Sequence, residues 1–166
     1  MENIVKIKNV KLGDGIPKIC IPVVEKNGKD ITKYIKEISK LPVDIIEWRA
    51  DFFIDDISEY NNDFDDIISF AKEIKKSSSK PILFTLRSNK EGGNIKYDKY
   101  ESIINLYDNI IKNKCFELID LELLNLKEND IKKLIKSASS NNIKTIISNH
   151  DFNKTPYKKR NNIKNQ

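Results

Sequence analysis

One histidine and several charged residues at the ends of apolar segments are the side chains of this sequence best suited to chemistry. His150 is the only histidine among the 166 residues, and it follows an apolar run that ends in Ser148 and Asn149. Imidazole is the side chain that most readily takes up and releases protons near neutral pH. A single histidine is more often structural than catalytic, so its role depends on what other segments place beside it.

Three other apolar segments also end in charged residues. These residues are Glu47 with Arg49, Arg87 with Glu91, and Asp120 with Glu122. Charges two residues apart leave the same face of a strand, and buried charges are costly unless they are paired. Asp120 and Glu122 fit an ion pair that fixes strand register as well as they fit a site. Glu47, Arg49, Arg87 and Glu91 lie, together with His150, at the ends of three predicted strands. Because the polar residues occur at the same end of three strands, a functional site is favoured there.

The positions of these residues follow from a regular alternation of strands and helices. Apolar runs predict strands at residues 19–24, 43–53, 81–87, 116–124 and 143–149, and helical spacing predicts helices at 31–38, 57–74, 97–113 and 128–140. Residues 4–12 alternate weakly before a glycine turn, which predicts one or two short strands. Such alternation indicates right-handed βαβ units and a parallel sheet. No change in composition marks a second domain, so residues 1–166 are predicted to form one.

Two architectures fit five such units: a five-stranded doubly wound sheet, or part of an eight-stranded barrel. A doubly wound sheet buries both faces of its strands and gains nothing from pairs of charges inside them. A βα barrel gathers polar groups from many strands at its carboxyl-end mouth, where its active sites lie. The charged strand ends therefore favour the barrel.

Composition limits the classes of function. Charged residues make up 33% of the chain and hydrophobic ones 39%, and no apolar run approaches the ~18 residues of a membrane span. With no signal-peptide core at the start, the chain is predicted to be cytoplasmic. The net charge is +5, but the lysines are scattered between acidic residues without interleaved aromatics, which argues against nucleic-acid binding.

No cluster of cysteine and histidine with metal-ligand spacing is present, and no metal site is predicted. The two cysteines, Cys20 and Cys115, lie in apolar runs and are predicted to be buried free thiols. The Gly92-Gly93 pair lacks the spacing and following helix of a phosphate-binding loop, so no nucleotide site is predicted there.

Four separated motifs resemble the type I 3-dehydroquinate dehydratases. They are IIEWRADF at residues 45–52, FTLR at 84–87 followed by Glu91-Gly92-Gly93, DLEL at 120–123, and SNHDF at 148–152 followed by KTP. The likeness runs in order from residue 1 to about 156. The resemblance implies a (β/α)8 TIM barrel, of which residues 18–156 supply the first five βα units. It also implies an N-terminal hairpin within residues 1–17 that covers the bottom of the barrel.

The resemblance also implies a lyase of the shikimate pathway of aromatic amino acid biosynthesis. Such enzymes dehydrate 3-dehydroquinate to 3-dehydroshikimate through a Schiff base between a lysine and the substrate ketone, without a metal or external cofactor. By motif match His150 transfers the protons and Glu91 orients it. Glu47, Trp48, Arg49 and Arg87 match substrate-contacting positions. A homodimer is a further expectation.

The sequence departs from the family after the fifth unit. The Schiff-base lysine of the family lies on a sixth strand, and Lys154, Lys158 and Lys159 are poor substitutes in a polar segment. Thr155-Pro156 predicts a helix start, whereas residues 157–166 form an aberrant polar tail. The expectation is a truncated chain that is marginally folded and inactive alone. The alternative is a remnant or small-anion-binding protein without catalysis.

Overall fold

A computed structural model of the chain describes residues 4–54, 56–60 and 63–153, apart from the side chain of Ser58. Residues 154–166, with the predicted helix start and polar tail, lie outside these ranges. The strands are β1 (Val5–Ile7), β2 (Val10–Leu12), β3 (Cys20–Val23), β4 (Ile45–Arg49), β5 (Ile82–Thr85), β6 (Leu118–Glu122) and β7 (Lys144–Ser148). The α-helices are α1 (Gly28–Ile38), α2 (Asp65–Lys76), α3 (Tyr100–Lys112) and α4 (Glu128–Ser140).

The order of the strands distinguishes the two predicted architectures. Strands β3 to β7 pair in parallel and in chain order, while β1 and β2 form a separate antiparallel hairpin. A doubly wound sheet reverses its strand order at a switch point, and no reversal occurs here. Right-handed crossovers between strands in unbroken order place all the helices on one face. The doubly wound alternative is therefore wrong, and the arrangement is that of consecutive units of a βα barrel.

The outer face of the sheet packs against the four helices in one apolar core. Trp48 of β4 lies at its centre, fully buried, with the rings of four phenylalanines at centroid distances of 5.6–5.9 Å. Because side chains alternate along a strand, Trp48 points away from the face that carries Glu47 and Arg49. The prediction that Trp48 contacts a substrate is therefore wrong.

The hairpin covers the lower end of the inner face, as expected. Ile7 of β1 packs against Ile45, Leu83 and Leu118, which come from three neighbouring strands of the sheet. Lys8 in the hairpin turn adds an ion pair of 3.1 Å to Glu117 just before β6. Apolar side chains thus close the lower end of the inner face, and the charged residues lie towards its upper, carboxyl end.

Some predicted boundaries differ from the structure. The predicted helix over residues 57–74 is instead a 3₁₀ turn at Ile57–Tyr60 and helix α2, and the buried Phe64 is the N-cap residue of α2. The prediction that Cys20 is a buried thiol is also wrong. In the described sheet β3 is an edge strand, and Cys20 is exposed although Cys115 is buried.

Among the described helices, none has the length and apolar character needed to cross a membrane.

Candidate active site

Arg87 is the cation at the centre of the charged cluster. It follows β5 on the inner face and is 6% exposed. Its guanidinium lies 3.0 Å from Asp120, 3.2 Å from Glu122 and 3.7 Å from Glu91. It also donates a hydrogen bond of 2.8 Å to Ser148 Oγ on β7. One guanidinium therefore joins the ends of three adjacent strands and forms ion pairs with three buried carboxylates.

Asp120 is the carboxyl of this cluster whose proton affinity is most clearly changed. Burial raises the pKa of Asp120 to about 6, and the neighbouring charges of Glu47 and Glu122 act in the same direction. Arg87 and the hydroxyl of Ser148, which donates to Asp120 at 2.8 Å, oppose the shift without cancelling it. This carboxyl can therefore exchange a proton not far below neutral pH.

The raised pKa of Asp120 predicts a pH dependence of stability. The folded chain holds this proton up to about pH 6, whereas an unfolded aspartate releases it near pH ~4. The contribution of Asp120 to stability is therefore fully present below pH ~4 and is lost as the pH rises through 6. The free energy of unfolding should fall by about 1 kcal/mol more between pH 5 and 7.5 in the wild type than in Asp120→Asn. Equal pH slopes in urea denaturation of the two proteins would contradict this assignment.

His150 and Glu91 form a direct pair. His150 Nδ1 lies 2.9 Å from Glu91 Oε2, and the backbone N–H of His150 donates to the same oxygen at 2.9 Å. The Glu91 side chain is 4% exposed, whereas that of His150 is 41% exposed. The pair thus joins a buried acceptor to an imidazole whose other side is open to solvent.

The loop that carries Glu91 depends on two glycines. Gly92 has a φ of +82°, a conformation that favours glycine. A Cβ at Gly93 would lie 2.1 Å from the carbonyl oxygen of Arg87, so an alanine there cannot fit without moving the backbone. The N–H of Gly93 donates to the carbonyl of Ser88 at 2.7 Å, which closes the turn beneath Glu91.

Gly93→Ala is accordingly expected to destabilise the fold by about 1–3 kcal/mol, the usual cost of forcing extra atoms into a packed region. The measurement is urea denaturation followed by circular dichroism. Asn94→Ala is the matched control, because it adds no atoms at the next position, where the side chain is exposed and the backbone hydrogen bond remains. A Gly93→Ala protein as stable as this control would show that the close approach is absent.

Arg49 is held by a neighbouring carboxylate. Its Nε and Nη2 donate to the two oxygens of Asp51 at 2.8 and 2.9 Å, and its guanidinium lies over the ring of Phe52. Asp51 also accepts from the backbone N–H groups of Arg87 and Asn94, at 3.4 and 3.2 Å. The Asp51 side chain is fully buried, and it ties Arg49 to the loop that carries Glu91.

The structure brings most of the predicted site residues together. His150, Glu91 and Arg87 are linked through direct contacts, and Arg49 joins them through Asp51. Glu47 lies half-buried on the same face, and within the described ranges it makes no hydrogen bond or ion pair. Asp120 and Glu122 do form an ion pair with Arg87, and both lie within the cluster.

Sequence reasoning missed four members of the cluster, which are Asp51, Ser88, Asn125 and Ser148. Asp51 repeats the two-residue spacing of Glu47 and Arg49, so the same pattern could have identified it. Ser88 and Asn125 carry no charge and follow no periodic signal, and Ser148 lies two residues before His150 but is also uncharged. Among the described residues, no group of three or more His, Cys, Asp or Glu side chains could hold a metal ion.

Comparison with known proteins gives a consistent result. Residues 19–165 match the family model described as Type I 3-dehydroquinase, so the match reaches into the segment predicted to be an aberrant tail. A 3-dehydroquinate dehydratase of Clostridium botulinum is 38% identical over 160 residues, which cover 95% of this chain and 60% of that protein.

Solved structures agree with these matches. A type I 3-dehydroquinate dehydratase from Clostridium difficile superposes with a TM-score of 0.82 at 39% identity, covering 96% of this chain and 61% of that one. The 3-dehydroquinate dehydratase from Enterococcus faecalis gives 0.81 at 34% identity, covering 92% and 61%. The chain thus spans about 60% of the length of the relatives that it matches.

Proposed function

The chain belongs to the type I 3-dehydroquinase family, and from this premise we propose that its inner-face charged cluster binds 3-dehydroquinate, with His150 as the proton-transfer group. The observation that carries the proposal is the His150–Glu91 pair beside two arginines at the carboxyl ends of the strands. Active sites of βα barrels lie at this end. Since the chain spans about 60% of the length of its relatives, the full activity is itself part of the proposal.

The His150–Glu91 pair supports a role in proton transfer. An ionised carboxylate only accepts hydrogen bonds, so Glu91 holds the proton on His150 Nδ1 and leaves the lone pair on Nε2. A neutral imidazole fixed in this tautomer can remove a proton from a substrate and return it later to a leaving group. The dehydration needs both steps, because a carbon beside the ketone loses a proton and a hydroxyl departs as water.

The arginines support recognition of an anionic substrate. Asp51 occupies two of the five N–H donors of Arg49, so the remaining donors can bind a carboxylate or hydroxyl. Arg87 is more deeply engaged with the buried carboxylates, and its contribution to substrate binding is chiefly to hold the strand ends in place. The net charge of +5 favours the approach of an anion.

A second candidate function is substrate binding without turnover. In the family the ketone forms a Schiff base with a lysine, but within the described ranges no lysine contacts His150, Glu91, Arg49 or Arg87. Binding and proton transfer can therefore be separated experimentally from covalent capture of the ketone.

The test is to incubate the purified chain with 3-dehydroquinate, with and without borohydride. Formation of the conjugated enone product and a reduced adduct on the chain would support complete catalysis. Saturable binding without product or adduct would support the second candidate. Absence of both binding and turnover by the folded chain would overturn the proposal.

A cytoplasmic location and a homodimer are further proposals, supported by the family likeness. Light scattering after size-exclusion chromatography tests the assembly directly, since a dimer should elute at twice the mass of 19.3 kDa. A mass equal to one chain at micromolar concentration would overturn the proposed dimer.

A further inference from the structure

We propose that Asn125 is a positioning residue that fixes the Glu91 carboxylate and, through it, the orientation of His150. The inference rests on the proposed function only for its catalytic meaning, because the geometry can be tested without substrate. Asn125 lies between β6 and α4, three residues after the buried Glu122. No charge, repeat or motif singles it out in the sequence.

The carboxamide nitrogen of Asn125 carries two N–H donors and lies within hydrogen-bond distance of three acceptors in the cluster. Its Nδ2 lies 2.8 Å from Glu122 Oε2, 3.0 Å from Glu91 Oε1 and 3.1 Å from Ser88 Oγ. These acceptors come from the end of β6 and from the loop after β5, so one side chain joins the two segments. The Asn125 contact to Glu91 is to the oxygen that His150 does not use.

The two oxygens of Glu91 therefore have different partners. Oε2 accepts from the backbone and ring N–H groups of His150, while Oε1 accepts from Asn125. Arg87 lies 3.7 Å from Oε2, which is beyond hydrogen-bond distance. With Oε1 held by the carboxamide, the carboxylate plane cannot rotate freely about its last torsion. Oε2 then stays aimed at His150.

The charges around Asn125 explain why a neutral donor is needed. Glu91, Glu122 and Asp120 are buried together, and Arg87 is the cation that contacts all three. A buried carboxylate without enough donors either takes up a proton or turns towards another partner. By donating to Glu91 and Glu122 at once, Asn125 compensates two carboxylates without adding charge. We infer that its loss would first affect Glu91, the carboxylate farther from Arg87.

The test is NMR of the chain without substrate, since His150 gives the only imidazole signals. Asn125→Leu removes the donors at nearly constant shape, and Asn125→Ala removes them without adding bulk should leucine prevent folding. Asn129→Leu, at an exposed position on α4, is the matched control. The ring nitrogen shifts report the tautomer, and hydrogen exchange of the His150 amide reports its bond to Glu91.

In the wild type and the control, the Nδ1–H tautomer should predominate and the His150 amide should be protected. In either folded Asn125 variant, the preference for Nδ1–H should be lost and the amide should exchange about tenfold faster, as expected for one weakened hydrogen bond to a charged group. Wild-type tautomer and exchange rate in a folded Asn125 variant would overturn the inference. Failure of 3-dehydroquinate to bind would overturn the proposed function and leave this result standing.

Discussion

Replacing Arg87 by leucine is expected to destabilise the fold by about 3–5 kcal/mol at pH 7. The guanidinium is nearly fully buried and contacts Asp120, Glu122 and Glu91, so its removal takes their shared cation away from three buried carboxylates. Breaking a buried ion pair on one side costs far more than the pair contributes, because the remaining charge is still buried. Urea denaturation followed by circular dichroism measures the change.

The cost of Arg87→Leu should shrink at pH 5, where Asp120, whose pKa burial raises to about 6 in the wild type, takes up a proton. Lys132→Ala is the control, because it breaks the exposed Lys132–Glu128 pair on α4 and should leave the denaturation midpoint unchanged. An Arg87→Leu protein within about 1 kcal/mol of the wild type at pH 7 would contradict the central place given to this residue.

Replacing Arg49 by leucine is expected to weaken binding of 3-dehydroquinate by about 10- to 150-fold. Hydrogen bonds to a charged group contribute ~1.5–3 kcal/mol, and each 1.4 kcal/mol corresponds to about tenfold in affinity. Arg49 is less buried than Arg87 and keeps donors that Asp51 does not use, so it is the arginine better placed to reach a ligand. Isothermal titration calorimetry measures the affinity.

Arg49→Lys is the matched variant, because lysine keeps the charge and loses the planar fork that fits a carboxylate. Its affinity should lie between those of the wild type and Arg49→Leu. Circular dichroism must show that each variant is folded, since both substitutions remove the paired hydrogen bonds from Arg49 to Asp51. If folded Arg49→Leu bound 3-dehydroquinate with an affinity within twofold of the wild type, Arg49 would not contribute to ligand binding.

The sequence predicts much of this fold because its signals are periodic. Helix α4 runs over the predicted residues 128–140, and the parallel order follows from regular alternation of strands and helices. The helix predicted at 57–74 was wrong at its start because the apolar spacing continues through a 3₁₀ turn, Ile57–Tyr60, that local sequence does not separate from α2. Exposure of Cys20 depends on which strands lie beside β3, and a run of apolar residues carries no information about that.

The candidate site was predictable only in part, for a related reason. Charges at the ends of apolar runs marked Glu47, Arg49, Arg87 and Glu91, because strand ends of parallel units meet at one edge. Trp48 was wrongly included because it lies between two site residues in sequence, although alternation places it on the opposite face. Asn125 could not be found, because its role depends on three acceptors from two separate segments.

The most direct test of the proposed function is an NMR titration of the chain with 3-dehydroquinate, observed at the imidazole of His150. Since this is the only histidine, its carbon-bound ring protons report the site without assignment of the whole spectrum. We expect a saturable shift of these signals in the wild type and a shift that needs at least ~10-fold more ligand in Arg49→Leu. His150 signals that stay unchanged to millimolar ligand in the folded wild type would contradict the assignment of this cluster as a 3-dehydroquinate site.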